Sequence, residues 1–117
     1  MTDINTAPKT MIWSGGEHVF NLNHLYVRNV LSIRGLPGDY GSTPAACFKR
    51  FEQNIFSTED VERVVYLGLV GGGLPIKEAG ALVDRFVRSR PLLENSATAF
   101  SVLATLFAVP AIEVDAA

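Results

Sequence analysis

The chain is 117 residues long, enough for one hydrophobic core and too short for two well-packed domains. Hydrophobic residues make up 48% and charged residues 19%, which excludes a disordered tail, while 10 basic against 12 acidic residues leave a net charge of -2 and no broad field for gathering a phosphate backbone. The single cysteine, Cys47, rules out an internal disulfide and, with no second thiol or clustered histidine, a zinc set; it reads as a small buried apolar residue.

Residues 1–9 lack apolar periodicity and read as a flexible lead-in, a single domain is expected over residues 10–110, and residues 111–117 are expected to be a flexible C-terminus. The N-terminal stretch has neither the basic start nor the apolar core of a signal peptide, so a cytoplasmic protein is expected. In "TMIWSGGEHVFNLN" two runs rich in β-branched and aromatic residues flank Ser14-Gly15-Gly16. Gly-Gly supplies positive φ angles for a tight turn, so residues 10–22 read as a β-hairpin, its apolar side drawn from Trp13 or Ile12 and Phe20 or Leu22.

From Leu22 the period becomes helical. Leu22, Leu25, Tyr26, Asn29, Val30 and Ile33 predict one core-facing stripe, with Asn23 as N-cap and Gly35 as terminator. "GLPGDYGSTP" is turn material, and Cys47, Phe48, Phe51 and Ile55 mark one face of a short helix over 44–54. Ser57 and Asp60 form a capping box for the next helix, whose stripe is Val61, Val64, Val65, Gly68 and Leu69.

After Gly71, Gly72 and Gly73 the stripe repeats in Ile76, Ala79, Gly80, Val83, Phe86 and Val87, in a helix that Pro75 opens. The two helices predict an αα-hairpin with the three glycines as its joint. A last helix after Pro91 carries Leu93, Ala97, Phe100, Ala104 and Phe107 on one side, widened by Val102, Leu103 and Leu106. It is expected to be central or partner-facing, with Phe100, Leu103, Leu106 and Phe107 as the candidate partner surface. The fold class is therefore mainly α, an N-terminal β-hairpin followed by a compact bundle of about five helices.

Several functional readings fall on residue chemistry. The glycine run has no Gly-Lys-Ser/Thr ending and no preceding strand, so it is not a phosphate loop. His18 and His24 are the only imidazoles and share no carboxylate or thiol pattern, and a metal site takes three or four ligands. Ser14, Ser42 and Ser57 have no base or elbow motif. No catalytic, cofactor or metal site is expected. The charged groups Glu59-Asp60-Glu62-Arg63 and Lys77-Glu78 with Asp84-Arg85-Arg88-Arg90 read as solvated helix faces, or as a polar rim for a protein partner. The uncharged stretch 95–112 is diluted by Asn95, Ser96, Thr98, Ser101 and Thr105 and interrupted by Pro110, which argues against a membrane span.

A Gly-turn hairpin, then "FSTEDVERVVYLGLVGGG", "EAGALVDRFV" and "RPLLENSATAFSVLATLF" occur in that order. From about Gly16 to Val109 the pattern resembles the small tail protein of phage-like gene transfer agents and related prophages, a family described as a tail assembly chaperone or tail-tube component. "LGLVGGG" followed after a helix by "RPLLE" carries most of the resemblance, and "FAVPAI" stands where the family's final glycine is conventional. The resemblance implies an interaction protein without an active site or cofactor. It implies a tail assembly chaperone that engages the tape-measure or tail tube protein, or else a structural tube subunit found in the virion tail. A small DNA-binding regulator is the reading from another class, since helix-turn-helix joints often contain glycine, but the basic face is poor and no nucleic acid is expected as partner.

Overall fold

The computed structural model describes residues 8–107, so the expectations for residues 1–7 and 108–117, including most of both flexible ends, lie outside it. Strands β1 (Lys9–Trp13) and β2 (Gly16–Phe20) form an antiparallel hairpin in which Trp13 faces Gly16 and Lys9 faces Phe20. The positive φ of the turn falls on Gly16 alone of the two glycines. Five helices follow: α1 (Leu25–Ile33), α2 (Pro44–Glu52), α3 (Thr58–Gly71), α4 (Ile76–Val83) and α5 (Leu92–Ala104). The fold is mainly α.

Local chemistry accounts for the helix ends. In α3 the Ser57 hydroxyl accepts from the Asp60 N–H at 3.1 Å while the Asp60 carboxylate accepts from the Ser57 N–H at 2.9 Å, a complete capping box. Thr43 caps α2 through the Ala46 N–H, with Pro44 in the first helical position. Helix α1 departs from expectation: it begins at Leu25, and His24 rather than Asn23 caps it, its Nδ1 accepting from the Tyr26 N–H. Asn23 instead accepts from Arg28, and Leu22 is buried in the link from the hairpin because the Asn21 N–H is committed to the Gly68 carbonyl at 2.9 Å. Helix α2 stops at Glu52, short of Asn54, which turns out of the helix with φ 58°.

Helix α3 is the centre of the packing. Val61, Val64, Val65 and Leu69 are enclosed by β2, α1, α4 and α5, along with Trp13, Phe20, Val27, Ala79, Val102 and Leu103. Trp13 and Phe20 supply the buried side of the hairpin, whereas Ile12 is 82% exposed. Beyond Val83 the chain widens into a π turn, Asp84–Arg88. Val83 and Val87, four residues apart, both stay inward across it.

On two helices the inward stripe is not the predicted one. Helix α1 buries Val27 and Leu31, while Leu25, Tyr26 and Ile33 of the expected core stripe look outward. Helix α5 buries Asn95, Ala99, Val102 and Leu103 and exposes Leu93. Each helix carries apolar residues at helical spacing on more than one side, and such a pattern leaves its orientation open until neighbours are in place.

Candidate protein-interaction surface

The three glycines divide between two jobs. Helix α3 runs through Gly71, Gly72 caps it, and Gly73 leaves with φ 109° toward Pro75 and α4. Gly71 and Gly72 are held small by another contact: a Cβ on Gly71 would stand 1.8 Å from the Asn21 carbonyl oxygen, and one on Gly72 would stand 1.9 Å from that of Val19. Gly68, one turn earlier, lies under Phe20. The end of α3 is thus a glycine face on which the chain backbone rests at Val19 and Asn21.

Among the sequence-derived partner residues, Leu103 is fully enclosed and presents no surface. Phe100 is half-buried in an aromatic cluster with Phe48 and Phe51, at ring separations of 5.2 and 6.0 Å, and Phe107, 43% exposed, packs on Phe48 at 4.9 Å. Leu106 and Phe107 line a shallow groove with Arg28 and Pro44. The two histidines are apart in role. His18 accepts from the Trp13 indole N–H at 2.9 Å, and His24 caps α1. Ser14 reaches Glu94 and Asn95, Ser57 is a cap, and Cys47 is buried. Burial first, and then the Asp60 charge, push the Cys47 thiol up to about 12. Among the described residues no group of three His, Cys, Asp or Glu side chains is placed to hold a metal, and no helix is long and apolar enough to cross a membrane.

One member of the first charged patch proves to be interior, while Glu59 and Arg63 beside it stay exposed. Asp60 is fully buried and receives Arg50 in a two-pronged pair, Nε to Oδ2 at 2.8 Å and Nη2 to Oδ1 at 2.6 Å. Arg50, 1% exposed, also donates to the carbonyls of Leu36, Asp39 and Gly41, so all five of its N–H groups are used. This pair locks the loop between α1 and α2 onto α3. Burial alone would raise the Asp60 pKa, but the Arg50 hydrogen bonds and those from Ser57 outweigh it and hold the carboxyl below its usual 3.8. Sequence reading missed Arg50, since a cation inside an amphipathic helix gives no signal of burial. On the other patch, Arg88 meets Asp84 and, at 3.1 Å, Glu62, while Arg90 meets Glu94 at 2.9 Å. Two of the three arginines there are spent on neighbouring carboxylates, leaving little for a nucleic-acid backbone.

Among the described residues, α1, which sequence reading had turned inward, displays large apolar side chains. Leu25 is 76% and Ile33 83% exposed, and half-exposed Tyr26 lies close to Ile33 in projection along the axis. Beside this ridge, a groove between α1 and α3 is lined by Val30, Arg34, Pro37, Arg63, Tyr66 and Leu67. Large aliphatic side chains held in water on an ordered helix, next to an apolar cleft, are the features of a surface that receives another protein.

A family model described as phage tail tube protein, GTA-gp10, matches residues 7–109. No curated protein and no solved structure matches the chain.

Proposed function

The chain belongs to the phage tail tube protein family GTA-gp10, and we propose that within the building of a phage-like tail it acts without enzymatic chemistry, as an assembly chaperone that engages the tape-measure or tube protein. The family ties it to the tail; the observation that carries the finer reading is the state of its only described sheet. A subunit that propagates a tube by sheet pairing in a head-to-tail manner needs two free strand edges. Here the backbone at the C-terminal end of β2 abuts the glycine end of α3, which covers part of that edge. Apolar surface is instead displayed on helix α1, which suits a transient helper that shields a partner's helix.

Co-purification with the tape-measure and tube proteins of the same phage-like tail tests the engagement; a folded protein that captures neither refutes it. Mass spectrometry of mature particles separates the two tail roles. Absence from the particle supports the chaperone, and stoichiometric presence supports a retained tube subunit.

A further inference from the structure

The groove between α1 and α3 has an apolar floor and a rim of one charge sign. Val30, Pro37, Tyr66 and Leu67 line it, with Arg34 and Arg63 at the margin. On α1, Tyr26, Val30 and Ile33 fall within an arc of about 60° around the helix axis, so a continuous apolar ridge flanks the floor. The sequence from His18 to Gly38 contains no acidic residue. Among the described residues neither Arg34 nor Arg63 has an ion-pair partner. The nearest candidate on α3, Glu62, is engaged by Arg88, and Glu59, one turn before Arg63, is not within ion-pair distance of it.

This combination selects the occupant. Two exposed guanidiniums beside an apolar floor gain from carboxylates placed over them, since each forms charge-assisted hydrogen bonds as the floor is covered. A second copy docking by twofold symmetry would bring the same patch onto itself and set Arg34 and Arg63 against their own images, which repel. Length and shape favour a helix, because a groove between two packed helices accepts a third along its axis. We propose that this groove seats an amphipathic helix of another tail protein, one whose apolar stripe is flanked by aspartate or glutamate. The proposal rests on the partner-engaging role given above and adds where and by what chemistry the partner is held.

The test uses the full-length, nitrogen-15-labelled protein and, as probes, overlapping peptides covering the tape-measure and tube proteins of the same phage-like tail. The expected result is that an acidic, helix-forming peptide shifts the amide resonances of Ile33, Arg34, Arg63 and Tyr66. Arg34→Glu combined with Arg63→Glu should weaken that peptide roughly tenfold or more, and reversing the peptide's acidic residues to lysine should restore binding to this variant. Both arginines are exposed, so the variant's melting temperature should match the parent's, and Ile33→Ser provides a second, uncharged test. A bound peptide whose shifts map to the hairpin's outer face or around Phe107, or one indifferent to both variants, overturns the groove while leaving the partner-engaging role standing. If the folded protein binds neither the intact tail proteins nor any peptide, both fall.

Discussion

The carbonyl oxygen of Asn21 lies over Gly71 so closely that a Cβ added there would stand 1.8 Å from it. The link from hairpin to α1 is pressed onto the end of α3, and the Asn21 N–H bonds the Gly68 carbonyl in the same contact. Three adjacent glycines that look alike in sequence are therefore under different constraints.

Alanine at Gly71 and Gly73, with Gly80 as a reference, should separate these constraints. Gly71→Ala forces backbone away from backbone and should cost on the order of 3 kcal/mol. Gly73 faces open space but has φ 109°, so Gly73→Ala should cost about 1 kcal/mol through strain alone. Gly80 lies inside α4 with nothing near its missing Cβ and an ordinary φ, so Gly80→Ala should add about 0.5 to 1 kcal/mol. Urea melts of the three variants check the order; Gly71→Ala as stable as Gly73→Ala would refute the close approach.

Arg50 should be irreplaceable by size alone. Arg50→Met leaves the Asp60 carboxylate buried without its partner and three loop carbonyls without a donor, and is expected to cost about 3 to 5 kcal/mol. Arg50→Lys should recover only part of this, because an ammonium does not reproduce the planar fork. Replacing both members, Arg50→Met with Asp60→Leu, should be less harmful than Arg50→Met alone; a worse double variant would contradict the account.

Acid should act through the same pair. Because the folded pKa of Asp60 is depressed, its contribution is present above its unfolded value near 3.8 and is lost as pH falls from there through the folded pKa. The stability gap between the parent and Asp60→Asn should then be constant at neutral pH and narrow below about pH 4. A gap that is unchanged down to the acid transition would show that the charge of Asp60 is irrelevant.

Cys47 should be silent to thiol reagents in the native state at pH 8 and react fully in denaturant, as a buried thiol raised to about 12 is neutral and covered. The sign at high pH follows: the unfolded thiol ionises near 9.0 and the folded one does not, so stability falls as pH rises from 9.0 toward about 12. Rapid native labelling that does not track global unfolding would disprove the burial.

What the sequence by itself determined is what depends on near neighbours. The hairpin turn, the Ser57–Asp60 capping box, the proline starts of α2, α4 and α5 and the stripe of α3 all arise within about four residues, and their spacing reveals them. Tertiary structure alone decided which side of a two-sided helix turns inward. On α1, Val27 and Leu31 won over Leu25 and Ile33, and on α5 the apparent partner residue Leu103 went into the core. It also decided that Asp60, a cap by sequence, is half of a buried ion pair with Arg50, and that Gly71 is small because of Asn21. Each of these is a contact between segments that the chain order separates, and burial is settled by the neighbour that arrives, not by the residue that waits for it.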